Sequence, residues 1–427
     1  MTHRLGFGLS RELWIVQFGI FVNYLGYGAV LPFEVIYLHD GRGFGLSVAG
    51  LVVGLLTGVA VVTAPFAGRL IDRFGARTTA IGGGVALAAG YAGLAFSQSP
   101  VMAFAAAALA GAGNGALNPS QSTLLATLAA PELRHRATAA SRVAGNAGIG
   151  IGGALGGVIA AYGLGGFVAL FLINAFTYLV YVAVLVVLVQ EDTRPEPVTG
   201  GYRIVLRDRA FVQLALTNVA IIAVGWGVFT WLLPPYARDQ LGISARLIGL
   251  LLLANAATVV VAQVPIARLA EGRRRVVMMA VASTIFVGAC FLAVSADLFR
   301  STAYVALVVA VIAVGVGECF HTSALMPLVA DLAPAGLRGR YMASMGLSWW
   351  IGLALAPTIG LQMLSLSPTA AFLGAAGIAI GAGASAIALE GRLPEASRLT
   401  PRPNETALVA PAAQGQGVSP WLRPGEQ

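Results

Sequence analysis

A few ionisable side chains lie deep in otherwise apolar stretches of this sequence, where burial of charge is costly and function is the default explanation. Glu318 lies near the middle of one such stretch, and His321 follows three residues later on the same helical face. A carboxyl group in these surroundings can take and release a proton near neutral pH, and the histidine could share that proton. The alternative is a structural Glu–His pair that hydrogen-bonds between helices.

Glu34 is the second acidic candidate, in the first apolar stretch. Asn23, Tyr27 and Glu34 fall on one stripe of the predicted helix. Glu34 is also only one turn, about 6 Å, from the end of that helix. It could therefore exchange protons, or it could reach interfacial water and pair with His39 or Arg42.

Amide and aromatic side chains near these acids could contact a substrate. Aromatic rings can stack on a lipophilic or cationic molecule. Trp and Tyr are equally common at the membrane–water interface, which is the favoured location for Trp231. The candidates for a substrate cavity are Asn23, Tyr24, Tyr27, Asn114, Asn118, Asn218 and Trp226.

Long apolar segments must position these residues. Of 427 residues, 58% are hydrophobic and 10% charged, with a mean hydropathy of +0.83, whereas soluble proteins carry roughly 25% charged residues. Segments of about 20 apolar residues can cross a bilayer. We therefore predict an all-α membrane protein with twelve transmembrane helices, over residues 13–38, 46–67, 78–97, 101–129, 139–162, 165–189, 211–236, 246–267, 276–296, 302–330, 341–364 and 368–389.

The arginines predict the orientation of these helices. All 26 basic residues are Arg, and 22 of them fall on the side that carries both termini. By the positive-inside rule, both termini are cytoplasmic, in a multi-pass protein of the cytoplasmic membrane. The net charge of +8 therefore does not indicate nucleic-acid binding. The opposite side carries only Arg42, Arg238, Arg246 and Arg300.

The two halves of the chain resemble each other. At an offset of 199, Tyr37 and Asp40 correspond to Tyr236 and Asp239, and Asp72 corresponds to Glu271. Two similar six-helix bundles with a site between them are typical of secondary transporters. The predicted segments are a cytoplasmic N-terminus (1–12), two bundles (13–189 and 211–389), a cytoplasmic linker (190–210) and a disordered cytoplasmic tail (390–427).

A charged turn joins the second and third predicted helices. The string GRLIDRFGAR has two glycines for a tight turn and a carboxylate among three arginines. Its pattern resembles the loop between helices 2 and 3 of the major facilitator superfamily. Ion pairs there could form a conformational latch between the halves, although each exposed pair is weak. The latch candidates are Gly68, Asp72, Arg73, Gly75, Arg77 and Glu271, with Arg134, Arg136 and Arg340.

The fifth predicted helix contains the string GIGIGGALGG, whose glycine spacing would let another helix approach closely. The string resembles the glycine signature of antiporters of the same superfamily, with Gly153 where that signature has Pro. Generic small-residue packing is the alternative. The residues of this motif and its repeat are Gly148, Gly152, Gly153, Gly156, Gly157, Gly352, Pro357 and Gly360.

The resemblance implies two pseudo-symmetric six-helix bundles, with helices 1, 4, 7 and 10 around a central cavity. Within the superfamily, the chain most resembles bacterial drug:proton antiporters. This resemblance implies efflux of lipophilic or cationic molecules by alternating access. Many such antiporters carry an Arg in helix 4 where this chain has Ala107. Coupling would therefore depend on Glu318, His321 or Glu34.

Other functions remain open at this stage. A proton symporter or uniporter for a nutrient would have the same fold, whereas a receptor would need a soluble domain that we do not find. Four His and two Cys, scattered over the chain, form no predicted enzymatic or metal-ligand set. We expect a monomer that binds a small-molecule substrate and protons within the bilayer, with no cofactor, no metal and no nucleic acid.

Overall fold

The structure is a computed structural model that describes residues 10–129, 134–188, 202–334 and 337–400. These residues include twelve helices that are long and apolar enough to cross a membrane. The predicted all-α membrane fold is therefore confirmed. The helices are α1 Arg11–Gly41, α2 Leu46–Phe74, α3 Ala76–Ala95, α4 Pro100–Leu128, α5 Arg134–Ala160, α6 Leu164–Leu188, α7 Arg209–Gln240, α8 Ala245–Ala270, α9 Arg275–Leu298, α10 Arg300–Leu332, α11 Arg340–Leu366 and α12 Pro368–Arg392.

Successive helices run in opposite directions, so the start of α1 and the end of α12 share one face, called here the terminus face. The α1–α2 and α7–α8 connections lie on the opposite face. Helices α1–α6 form one half and α7–α12 the other, and the halves meet mainly where α5 packs on α8 and α2 packs on α11.

Equivalent hydrogen bonds confirm that the two halves repeat each other. The hydroxyl of Tyr37, in α1, donates to the carbonyl of Leu94 at the end of α3 over 3.2 Å. The hydroxyl of Tyr236, in α7, donates to the carbonyl of Ala293 near the end of α9 over 2.9 Å. Both pairs are 57 residues apart in the chain. The sequence offset of 199 therefore corresponds to a real structural relation between the halves.

Prolines interrupt the regular helix near the opposite face. The α1 helix changes to a 3₁₀ turn at Leu31–Phe33, which contains Pro32, and to a π-helix at Tyr37–Gly41. The α7 helix has a longer π-helical segment, Ala223–Leu232, followed by Pro234 and Pro235. Because proline removes a backbone donor and clashes with the preceding turn, these helices cannot remain regular here. Such irregular turns are frequent at functional sites.

The charged turn differs in detail from the prediction. Gly68 lies within α2, and Gly75 alone makes the turn, with φ of +85°. Arg77 donates to the carbonyls of Leu185 (2.9 Å) and Val186 (2.7 Å) at the end of α6. It thus satisfies carbonyls that a helix terminus leaves unbonded. The side chain of Asp72 lies outside the described residues.

The tail also differs from the prediction, because residues 390–400 are ordered. After α12, a short helix Glu395–Arg398 leads to a bridge between Leu399 and Arg274. The amide of Gly272 donates to the carbonyl of Thr400 over 2.8 Å, and Thr400 donates to the carbonyl of Arg273 over 3.0 Å. This segment therefore covers the α8–α9 turn. The predicted N-terminus up to residue 9, linker residues 190–201 and tail residues 401–427 lie outside the described residues.

Candidate functional site

Glu34 is buried between the two halves. Only 4% of the residue is exposed, and its carboxylate accepts hydrogen bonds from Tyr91 Oη (2.9 Å) and from the indole Nε1 of Trp231 (3.3 Å). Trp231 is 2% exposed and belongs to the other half. Of the two alternatives for Glu34, the one in which it reaches interfacial water and pairs with His39 or Arg42 is therefore wrong. The predicted interfacial position of Trp231 is also wrong, because the indole is buried between the halves.

Aromatic side chains surround this carboxylate. Tyr91 stacks on Tyr178 with ring centroids 5.8 Å apart, and it also contacts Phe171. Buried tyrosines present both an apolar ring and a hydroxyl that needs a partner. In this structure the hydroxyl of Tyr91 finds its partner in Glu34. Neither Tyr91 nor the role of Trp231 is predicted from the sequence. The only available signal was a tyrosine near the end of an apolar helix.

Glu318, the second acidic candidate, lines a cavity between the halves. Its carboxylate interacts with the side chains of Trp226 and Asn255. The cavity has a volume of about 40 Å³ and is also lined by Leu31 and Ile149 from the first half. A water molecule needs about 10–15 Å³ of such space. The cavity therefore has room for a few waters, and a larger molecule requires the halves to move apart.

His321 does not share a proton with Glu318 in this structure, although the two lie on one helix. His321 is 2% exposed, and its Nε2 lies 2.8 Å from Asn218 Oδ1. The amide of Asn218 donates in turn to Ser348 Oγ over 2.8 Å. Because the Asn218 oxygen is the acceptor, Nε2 of His321 carries the proton. The structure shows neither of the two alternatives, a Glu318–His321 proton relay or a structural hydrogen bond between these residues, and His321 belongs instead to a network that joins α7, α10 and α11.

The remaining cavity candidates form two pairs and one single residue. The amide of Asn118 donates to both oxygens of Asn114, so these side chains satisfy each other along α4. Tyr24 and Tyr27 contact each other edge to face, with centroids 6.4 Å apart. Asn23 is buried, and its Oδ1 has no hydrogen-bond partner in the part of the chain that the structure describes.

The glycines of α5 allow close packing on two sides. Gly148, Gly152 and Gly156 contact the backbone of α1, and a Cβ atom on Gly148 would lie 2.8 Å from the carbonyl of Phe21. Gly153 and Gly157 contact α8 of the other half. The close approach that the spacing predicts is therefore observed, and it includes contact between the halves.

The repeat in α11 packs in the same manner. Pro357 lies against Gly50 of α2, where an added Cβ atom would be 2.7 Å from the proline carbonyl. Gly352 and Gly360 contact α7. The two long interfaces between the halves, α5 on α8 and α11 on α2, are therefore built from equivalent small-residue contacts.

Several polar contacts between the halves lie near the opposite face. Arg238 pairs with Asp40 at 3.6 Å, and Gln362 donates to the carbonyl of Ser47 over 3.0 Å. His39, Asp40 and Asp239 could each offer one metal-ligand atom, all within 4.8 Å of one another. The sequence did not predict this cluster because Asp239 comes from the other half. These contacts close the molecule at this face.

The latch candidates on the terminus face are only partly described. Glu271 is exposed beside the α8–α9 turn, and Arg340 is buried near the start of α11. Arg73 lies over the ring of Phe74, 5.1 Å from its centroid. The side chains of Arg134 and Arg136 lie outside the described residues. A latch on this face stays a prediction.

Two repeated six-helix halves, closed over a cavity that both halves line, define the class: a membrane transporter of two similar bundles. The family model "Major Facilitator Superfamily" matches residues 16–232 and 215–423. The chain therefore belongs to the major facilitator superfamily.

The individual relatives are distant. The chain is 27% identical to "Uncharacterized MFS-type transporter YttB" of Bacillus subtilis, over 82% of this chain and 88% of the relative. It is 26% identical to "Multidrug resistance protein MdtH" of Aeromonas salmonicida, over 81% and 85%. A crystal structure of the peptide transporter POT aligns with a TM-score of 0.77 at 17% identity, over 92% and 96%. At that identity the structural match concerns the fold alone.

Proposed function

We propose that this protein is a proton-coupled antiporter that exports lipophilic or cationic small molecules through the cytoplasmic membrane. The observation that carries the proposal is the buried carboxylate of Glu34, bonded across the halves to Trp231. An ionisable group inside a membrane protein indicates an ion or proton pathway by default. The similarity to MdtH proteins, named for multidrug resistance, supports the direction and the class of substrate.

In this mechanism the two halves rock about the cavity in alternating access. The terminus face is cytoplasmic, and contacts between the halves close the opposite face. A substrate that enters the cavity competes with protons for two acidic groups. Glu318 lines the cavity, and Glu34 lies nearer the opposite face. Competition for one carboxylate couples export to proton entry by mass action.

The apolar and aromatic lining of the cavity favours lipophilic substrates. Trp226 and Phe229 line the same cavity as Glu318, so a cation bound there would lie among aromatic rings and a negative charge. Asn255 and Thr230 are the other polar side chains of this lining. Such sparse polarity suits a substrate with few hydrogen-bonding groups better than a sugar or a peptide.

Transport in proteoliposomes with an imposed pH gradient tests this function. The probes are ethidium and tetraphenylphosphonium, compared in the intact protein, Glu34→Gln, Glu318→Gln and the double variant. Glu12→Gln, an exposed acid at the start of α1, is the matched control. We expect the pH gradient to drive flux in the intact protein and in the Glu12→Gln control. The double variant and at least one of the two single variants should lose this flux. Unchanged flux in both single variants and in the double variant would eliminate these residues as the coupling sites.

A further inference from the structure

A groove on the terminus face lies away from the central cavity, between the start of α7 and the end of α12. Its volume is about 370 Å³, and its lining includes Arg209, Arg392 and Gln213. Arg392 donates to Gln213 Oε1 over 2.7 Å, and Gln213 donates to the carbonyl of Ser385 over 2.9 Å. The guanidinium of Arg392 is thus held at the rim of the groove.

In the part of the chain that the structure describes, the charged residues lining this groove are two arginines and no acid. Asp208 precedes Arg209, but its Oδ1 caps the start of α7 and its Oδ2 accepts a hydrogen bond from Tyr341 over 2.9 Å. Glu390 pairs with Arg274. Arg209 has no hydrogen-bond or ion-pair partner among the residues that the structure describes. The groove therefore attracts an anion.

The groove is also apolar toward the membrane. Leu206 and Leu216 line it and are 71% and 66% exposed. Leu216 is seven residues along α7 from Arg209, about 10 Å deeper in the bilayer at helical rise. The charged end thus lies at the membrane surface and the apolar end lies beside the hydrocarbon. This arrangement of charge above apolar surface matches a phospholipid rather than a soluble anion.

We propose that the groove between α7 and α12 binds one anionic phospholipid, with its phosphate between Arg209 and Arg392 and an acyl chain along Leu206 and Leu216. The arginine excess on this face places it at the cytoplasmic leaflet, where anionic lipids attract basic side chains. The lipid would brace α7 against α12. Binding does not depend on the transported substrate.

Lipid retention tests the proposal. The purified protein is incubated with detergent micelles that contain equal parts of phosphatidylglycerol and phosphatidylcholine, separated by size exclusion, and its bound lipids are quantified by mass spectrometry. We expect preferential retention of phosphatidylglycerol, reduced about fivefold in Arg209→Gln and in Arg392→Gln. The matched control is Arg203→Gln, an exposed arginine of the linker helix Tyr202–Arg207 that does not line the groove.

Three results would overturn the lipid site. One is equal retention of the two lipids, and another is an equal loss in Arg203→Gln, which would indicate general surface charge. The third is complete displacement of phosphatidylglycerol by millimolar inorganic phosphate, which would indicate a site for a free anion. Size-exclusion profiles and thermal melting of each variant show that the fold is retained, since both arginines are exposed.

Discussion

The indole nitrogen of Trp231 lies 3.3 Å from Oε2 of Glu34, and this hydrogen bond joins the two halves beneath the closed opposite face. Trp231 can only donate through this nitrogen, and an ionised carboxylate accepts that hydrogen bond more strongly than a protonated carboxyl group does. The contact therefore links closure of the opposite face to the protonation of Glu34.

Trp231→Phe should weaken this closure. The variant keeps an aromatic ring but removes the donor, and a hydrogen bond to a charged group contributes about 1.5–3 kcal/mol. We expect the opposite face to open at least about tenfold more often, because each loss of about 1.4 kcal/mol is a factor of ten. The measurement is the labelling rate of Thr230→Cys, in the cavity lining, by a membrane-impermeant maleimide, with Cys290 and Cys319 replaced by alanine. Tyr91→Phe is the control, because it removes a bond to the same carboxylate within one half. Equal rates in the two variants would contradict this role.

The same labelling rate should depend on pH through Glu34. Protonation removes the negative charge that Trp231 binds, so acidification should weaken closure and increase labelling. His39, Asp40, Asp239 and Arg238 also lie at this face, so a Glu34 variant is needed to separate the effect of Glu34 from theirs. We therefore expect Glu34→Gln to reduce the pH dependence of the labelling rate. At both low and high pH, the variant should be labelled as fast as the intact protein is at low pH. A pH profile that Glu34→Gln leaves unchanged would assign the effect to the other groups.

The sequence predicts the fold well because the signals of membrane helices are local. Apolar length places all twelve spans within a few residues, and the 199-residue offset anticipates the paired hydrogen bonds of Tyr37 and Tyr236. The burial of Glu34 could not be predicted in this way. Its position near a helix end indicated solvent, whereas its partner Tyr91 is 57 residues away and Trp231 is in the other half.

The same limit applies to His321. Helical spacing correctly places it on the face of Glu318, but spacing along one helix does not reveal which neighbour each side chain meets. Asn218 comes from a helix 103 residues earlier in the chain. Which partners satisfy buried polar groups depends on the packing of whole helices, and the sequence does not contain that information locally.

Asn218→Ala should destabilise the second half. The substitution leaves the buried Nε2–H of His321 without an acceptor, which costs about 1–3 kcal/mol. Thermal melting of the purified protein should therefore shift to lower temperature. Asn146→Ala is the matched control, since that half-buried amide donates to the carbonyl of Arg142 in its own helix rather than to another helix among the residues that the structure describes. Equal melting temperatures for the two variants would show that the network is not stabilising.

Gly157→Val should disturb the contact between the halves. A Cβ atom there would lie 2.6 Å from the carbonyl of Ala245 and 3.1 Å from Cα of Gly249, both in α8. Overpacking of this kind costs about 1–3 kcal/mol. We expect faster labelling of the cavity cysteine and slower transport, because α5 can no longer approach α8. Gly82→Val is the control, with open space around the added Cβ atom. Normal closure in Gly157→Val would refute the need for a small residue there.

The ordered segment after α12 should protect the α8–α9 turn. A chain that stops after Thr400 keeps the hydrogen bond from Gly272 to the Thr400 carbonyl, whereas a chain that stops after Arg392 loses it. One hydrogen bond contributes about 0.5–1.5 kcal/mol, so the Gly272 amide should exchange its hydrogen about 2- to 10-fold faster in the shorter chain. Hydrogen-exchange mass spectrometry of the peptide that spans the turn measures this difference. The chain that stops after Thr400 should exchange like the full chain. Faster exchange in the chain that stops after Thr400 would mean that residues 401–427, and not the segment 393–400, protect the turn.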